Sequence, residues 1–593
     1  MKTFCLILTI LGLLLTACSG ENGAIQATPP ALQPRSTETL PANRNPNLGL
    51  SATRPTAPLG SADPRLFFTD LESGPNTGGQ DNLGAFVTIY GEGFGASRGN
   101  STVTIGGKAV AKYVVWGQDN APARKMDLIV VQLGPNVTSG NIVVTVNGKA
   151  SNSLAFTVRS GNIYFVATSG SDANPGSFAQ PWRTIVKAKN TIAPGDIAYV
   201  LNGVTEAVEE NFSAVLSIET SGANGLPKAL VAYPGATVTI GSTVLEFGVR
   251  VPNNPETMAN DWVIAKLVLR GQTQALDIGG TGSRRWRIVG NDISCPIGDG
   301  QTGCFAAALA SKIAFLGNEV HGISTQGSQP SKQYHAVYFT TDTNHVEVGW
   351  NHIHDNNTCR AVQFHSSPLN DTTGYNQYDL NVHDNLIHGD VCDGINFATV
   401  DPSKGPARAF NNIIYDVGRG PAPPDGDANY TCIYVAGSTN TGADGKGNVE
   451  IFNNTLFDCG ARRKLPNPTN DEGAFGRGPG SPGLIMNLRS NIIYLVAGEH
   501  YISPSSATAP IQGSHNLWFG AGAPPAFLTG NVTAGPQFID IAARDFRPKS
   551  GSPAIDAGVS ANVGSDYLGV LRPQGRAYDI GAYEVIAEQK VSE

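Results

Sequence analysis

The sequence predicts an all-β chain: a parallel β-helix solenoid preceded by a small β-sandwich. Three observations predict it. From about residue 286 an asparagine keeps returning in the phrase apolar–x–apolar–x–x–Asn–x–apolar. The copies are WRIVGNDIS (Asn291), IAFLGNEVH (Asn318), VEVGWNHIH (Asn351), LNVHDNLIH (Asn385), ARAFNNIIY (Asn412), VEIFNNTLF (Asn454) and NLRSNIIY (Asn491), with SHNLWF (Asn516) as an eighth. Their spacing falls in the range of stacked repeats. Each copy alternates with period two, so the unit is built of short strands. Residues 64–160 differ in texture, with short alternating strands between glycine-rich turns. Finally, 70 glycines and only 15% charged residues suit a turn-rich β protein. In this picture the recurring Asn sits at a strand-to-strand turn. It tolerates the left-handed conformation and bonds the Asn of the next coil through its amide.

Residues 1–17 read as a lipoprotein signal peptide. Lys2 supplies the positive start, and Phe4 to Leu15 is an apolar stretch too short to span a membrane. Leu15-Thr16-Ala17-Cys18 resembles a bacterial lipobox. The resemblance implies cleavage before Cys18 and lipid on its thiol, which makes the membrane a partner through the anchor. Ser19 in the next position resembles sorting to the outer membrane of a Gram-negative cell. Residues 18–63 form a tether: eight prolines occur between 19 and 64, with almost no aromatic residues, so no core can form. The net charge of −8 carries no basic cluster, which argues against a nucleic-acid partner. The chain is expected to be a monomer.

Within 64–160, the residues Gly91-x-Gly93-Phe94-Gly95, the VTIGGKA hairpin and the closing VTVNGKASNSLAFTV resemble the immunoglobulin-like IPT/TIG family. Such domains act as spacers or binding modules, and the segment holds no catalytic constellation. The solenoid is placed at 161–585. WRTIVKAKNTI could form a short amphipathic helix capping the first coil. The phrases GSDANPGS, QPWRTIVKA and PGDIAYV resemble the opening of secreted right-handed β-helix proteins, including many polysaccharide lyases. DFRPKSGSPAIDAG and RPQGRAYDIGAYE resemble the terminal segment of bacterial surface β-helix proteins. These resemblances bear on fold and compartment, not on a reaction.

Six cysteines lie in the solenoid, an even number that suggests disulfides in an exported protein. Cys295 and Cys304 bracket one short loop. Cys359 and Cys392 precede matching strands of successive coils, within reach of a bridge. Cys432–Cys459 is the remaining pair. No spacing supports zinc.

Eight of the ten histidines lie between 321 and 388. One set stands three residues after the Asn: His321, His354 and His388, followed by Tyr415, Phe457 and Tyr494. It reads first as a structural ring stack. A second set comes from strands that align without gaps: HAVYF (335–339), RAVQF (360–364), DGINF (393–397) and TCIYV (431–435). Val337, Val362 and Ile395, with Phe339, Phe364 and Phe397, would face inward. Tyr338, Gln363, Asn396 and Tyr434 would form an exposed, substrate-binding wall. His335, Arg360 and Asp393 stand at the strand entrances, and His365 follows Phe364.

Elimination from a uronic acid polymer needs a cation for the carboxylate, a base and an acid. Arg360 could neutralise, His335 or His365 could be the base, and Tyr338 the acid. Asp393 could orient His335 or Arg360. No metal ligand set is evident, although dispersed acids at Asp390, Asp393, Asp425 and Asp427 leave room for Ca2+. A plain ion-pair ladder is the bland alternative. The pattern departs from lyases of this fold, which often use Lys or Arg as base, and from epimerases with an Asp-Pro-His-Asp motif. Asp393 with Asp425 or Asp427 could instead serve a glycosidase. Two excursions, GRGPAPPDGDANY and the stretch at 462–483 with Arg462, Arg463 and Arg477, would form rims over the wall. The best reading is a surface polysaccharide lyase. The rivals are a non-catalytic adhesin or glycan-binding protein, and a hydrolase or epimerase.

Overall fold

The computed structural model describes residues 63–586, apart from 119–125, 253–257, 280–281, 299, 327–329, 367–376, 421–422, 426–427, 437–444, 461–471, 479–481 and 507–508. The signal peptide, Cys18 and the tether lie outside the described residues. The chain folds as an immunoglobulin-like sandwich followed by a right-handed parallel β-helix.

Alternating short strands pair antiparallel in the sandwich. One sheet orders Arg65–Thr69, Phe86–Glu92, Asp127–Gln132 and Lys112–Gln118. The other is centred on Gly140–Val146, between Leu154–Val158 and Thr102–Ile105. Inward residues such as Ile89, Ile129, Ile142 and Val144 fill the space between them. The same apolar cluster continues into the solenoid through Tyr199, Val231, Val263 and Val289. Tyr199 Oη donates to Phe86 O and accepts from Phe86 N–H. Lys266 Nζ lies 3.1 Å from buried Asp70. The sandwich is therefore fused to the flank of the solenoid by shared core.

Three parallel sheets of twelve, eleven and nine strands form the walls of the solenoid. Among the described residues this makes nine complete coils, three of them ahead of the Asn291 turn. The predicted cap is a helix at Ile185–Thr191, begun by Thr184, whose hydroxyl accepts from Lys187 N–H. Ile185 and Ala188 are buried against the first coils beside Trp182. The terminal segment lies along the outer face of the second sheet. Phe538, Phe546 and Ile580 pack there on Leu386, Tyr415 and Ile492.

The asparagine column is continuous from Asn291 to Asn516. Asn385 shows the pattern: its Nδ2 donates to Asn412 Oδ1 and to Val348 O, and its backbone N–H also donates to Asn412 Oδ1. The same triple contact recurs for Asn318, Asn351, Asn412, Asn454 and Asn491. One expectation fails here. The left-handed residue is not the Asn but the one before it: Gly317, Trp350, Asp384, Asn411, Asn453 and Ser490 all have φ between 52° and 60°. The turn bends at that residue, which leaves the Asn free to point its amide along the stack. The disulfides are Cys295–Cys304, Cys359–Cys392 and Cys432–Cys459, as expected.

Asn412→Ala removes four buried hydrogen bonds and strands Asn385 N–H. The unfolding free energy should fall by about 3 kcal/mol, since each orphaned buried group costs about 1–3 kcal/mol. A denaturant titration showing under about 1 kcal/mol of loss would contradict a structural role for the column.

Candidate active site on the third sheet

The third sheet stacks His335–Thr340, Arg360–His365, Ile395–Phe397 and Tyr430–Val435 in consecutive coils. Val337 pairs with Val362, then Ile395, then Ile433, while Phe339, Phe364, Phe397 and Val435 form the second inward column. The phenylalanine rings stack, with centroids 5.1 and 5.4 Å apart. Ala336 and Ala361 are also buried in the core, so two consecutive residues turn inward on each strand. Strict alternation is broken, and His335 shares the outer side with Tyr338, ring to ring at 4.9 Å.

Two outer ladders result. In one, His335 is followed by Arg360, which bonds Asp393 of the next coil (Nε to Oδ2, 3.1 Å), and Asp393 accepts from Thr431 N–H and Oγ1. In the other, Tyr338, Gln363, Asn396 and Tyr434 are in register. Cross-links join the ladders. Asn396 Nδ2 donates to Asp393 Oδ2 (2.6 Å), and Tyr338 Oη lies 3.3 Å from His365 Nδ1. Asp393 thus orients Arg360, not His335. Arg360 Nη1 also donates to Lys332 O at 2.7 Å. Lys332 N–H and Ser331 Oγ in turn donate to Asp425. The described tip of the first excursion therefore closes over the entrance to Arg360.

The wall is recessed, not exposed. Gln363 (5%), Asn396 (1%) and Tyr434 (6%) are nearly inaccessible, because side chains lie down over small residues of neighbouring coils. Tyr338 leans on Gly303 and Tyr434 on Gly476, where a Cβ would clash. Burial sets the protonation. It is the main cause holding His335 well below its usual pKa, with Arg360 and His365 adding to it. Burial, then Arg360, lower His365 to about 4. Burial raises Tyr338, and it raises Asp393 despite Arg360. At neutral pH the site holds two neutral imidazoles and a neutral phenol beside a cation. Three buried polar atoms have no hydrogen-bond partner among the described residues: His335 Nδ1, Gln363 Oε1 and Asn396 Oδ1. A satisfied structural ladder would not leave them so.

Other sequence assignments shift. Arg477 does not form a rim. It continues the inward column after Val435 and donates to Leu484 O, fully buried where the third sheet ends. Asp390 is buried beside Asn356, where burial pushes its carboxyl to about 8. Asp393 is committed to Arg360, and Asp427, Arg462 and Arg463 lie outside the described residues. Sequence reasoning missed Asp277, which stands one rung beyond Ala306 and two from Tyr338 in the same ladder. Burial, opposed by Arg250, raises its carboxyl to about 7. Its coil has Leu267 where later coils have Asn, so the alignment marker was missing.

A cavity of about 800 Å3 lies on a different wall, between the sandwich and the first sheet, lined by Glu72, Arg287, Glu347, Asn381, His383 and Phe410. Most of its charges are in ion pairs: Arg287 with Glu72, Arg285 with Asp261, and His383 with Glu347.

Residues 69–158 match the IPT/TIG domain. No curated protein matches the chain. Among solved structures the chain is similar to pectate lyase Pel9A (13% identity, 71% of this chain and 96% of that one, TM-score 0.47). It is also similar to XylC in complex with xylose (11%, 72% and 98%, TM-score 0.45). A third likeness is to a GH136 lacto-N-biosidase from Eubacterium ramulus (11%, 60% and 67%, TM-score 0.32).

His383 yields a test of the electrostatics beside the cavity. Burial opposes its charge, but Asp384 and Glu347 prevail and raise it from 6.5 to about 9. The folded state therefore prefers the protonated ring. Its contribution to stability is complete below pH 6.5 and is lost as pH rises through about 9. Unfolding titrations of the wild type and His383→Gln should converge over that window. Parallel pH profiles would show that the ring is not held as a cation.

Proposed function

We propose that the protein is a polysaccharide lyase that cleaves a uronate-containing polymer on the outer face of the third sheet. The observation that carries the reading is the Tyr338 Oη–His365 Nδ1 pair at 3.3 Å, recessed beside Arg360. Arg360 is fixed by Asp393 and Lys332 O, and its Nη2 is left to meet the substrate carboxylate. Neutralising that carboxylate acidifies the adjacent C–H. Neutral His365 takes the proton, the bond to the leaving oxygen breaks as the C=C forms, and Tyr338 protonates that oxygen. The proton on His365 then returns to Tyr338, so the pair ends as it began and no water is consumed. His335, Gln363 and Asn396 form the recessed floor of the wall, each with one unpaired polar atom, Nδ1, Oε1 and Oδ1. Asp393 has both oxygens engaged, which weighs against a glycosidase pair built on it.

We further propose, from the lipobox-like sequence, that Cys18 anchors the chain by lipid at the outer membrane and that it works there as a monomer. Metabolic labelling with a fatty acid, abolished by Cys18→Ala, tests the anchor.

The full chain should release unsaturated uronate from one member of a panel of uronate polymers, followed by ultraviolet absorbance with and without calcium. Tyr338→Phe and His365→Ala should each lower kcat about 100-fold or more, the range for general acid–base groups. Arg360→Ala should abolish turnover. The acid limb of the rate profile should fall near pH 4, where His365 gains its proton, not near 6.5. New reducing ends without unsaturation would replace the lyase by a hydrolase, and uronate inversion without cleavage by an epimerase. Glycan binding without any of these would make the protein an adhesin.

A further inference from the structure

The second sheet carries a cluster that the proposed reaction does not use. Its outer face has two columns, one and three residues after each ladder asparagine. The second column is a ring stack: His321 on His354 (5.5 Å, 10°), His354 on His388 (5.2 Å), His388 on Tyr415 (4.7 Å). Ring stacking accounts for that column. It does not account for His352, which belongs to the first column, where the following coils carry Leu386, Ile413 and Thr455. His352 is buried, stacks on His354 at 3.9 Å, and sets its Nε2 2.9 Å from His388 Nε2.

One nitrogen from each of His352, His354 and His388 lies within 4.8 Å of the others. We propose that these three imidazoles form a binding site for a divalent transition metal of the Zn2+ class. Tetrahedral Zn2+ with bonds of about 2.0–2.1 Å places its ligands about 3.3 Å apart. The 2.9 Å contact has only to open slightly, and the wider pairs have to close by side-chain rotation. Three imidazoles select Zn2+, Cu2+ or Ni2+ over Ca2+ and Mg2+, which take oxygen ligands. Carboxylates complete the setting. Glu319 Oε1 lies 3.3 Å from His354 Nε2 and Asp355 Oδ2 lies 3.1 Å from Nδ1. One can follow the ring as a fourth ligand while the other fixes its orientation. Arg544, the guanidinium nearest His388, is already paired with Asp416 at 2.8 Å, which offsets its charge.

His352 and His354 belong to the coil that carries Arg360 and His365, and His388 to the coil that carries Asp393. A bound ion would staple those two coils on the wall next to the Cys359–Cys392 bridge. The inference is independent of the lyase reading.

The test is titration of the full, untagged, chelator-treated chain with Zn2+ by calorimetry and with Co2+ by visible absorption. One equivalent should bind, Tm should rise, and Co2+ should give the intense bands of a tetrahedral nitrogen-rich site. His352→Ala and His388→Ala should each weaken Zn2+ binding by at least about 100-fold, a loss that even outer-shell changes reach. His321→Ala, in the same stack but outside the triad, should leave the stoichiometry unchanged. Lack of saturable uptake by the wild type overturns the proposal, as does uptake that survives His352→Gln with His388→Gln. If the alanine variants fail to fold, the wild-type Co2+ spectrum and the glutamine pair decide.

Discussion

Each asparagine-marked turn from Asn291 to Asn491 is closed by a side chain from the following coil. The turn buries the asparagine's own backbone N–H, which donates to the amide oxygen of the next coil, and a C=O three residues earlier accepts that amide's N–H. A primary amide is a short group with both a donor and an acceptor, so one Asn satisfies both and presents the same pair to its neighbour. The benefit per bond is modest, but an orphaned group inside the stack is expensive. The column therefore imposes its geometry on each coil in turn, and the solenoid inherits a fixed rise and register from it.

That constraint decides where chemistry can sit. The first sheet ends and the second begins three residues apart in coil after coil, from Leu316 to Glu319, Gly349 to His352, Phe410 to Ile413 and Arg489 to Ile492. Among the asparagine-marked coils, length varies only beside the third sheet. It varies before the sheet, from the short step His354 to Arg360 to the long one Tyr415 to Tyr430. It varies after it, from His365 to Leu380 and Val435 to Gly447. The third sheet is the wall whose two borders are free to grow. Its backbone is held from inside by the Phe339–Phe364–Phe397 stack, so Arg360 and His365 stand on a rigid base.

Periodic features were legible in the sequence and aperiodic ones were not. The asparagine column, the ring column, the alignment of Val337 through Ile433 and the Cys359–Cys392 pair all follow from repetition. The left-handed residue is hidden because Gly, Trp, Asp, Asn and Ser all occupy it, so no composition marks it. Arg477 reads as a surface residue by type, but the inward column carried it into the interior at the end of the sheet. Asp277 escaped for want of a marker asparagine, and His352 because its column is otherwise Asp, Glu, Leu, Ile or Thr. The recessed character of the wall depends on which neighbours are glycine, a relation between coils that no single strand discloses.

Because insertions in the asparagine-marked coils are confined to the two corners flanking the third sheet, the scaffold and the wall can change separately. A lengthened or exchanged loop would reshape the rim over Arg360 without disturbing one amide of the column on the opposite corner. Lineages carrying this architecture can diversify what they grip by trading loops while inheriting the stack unaltered.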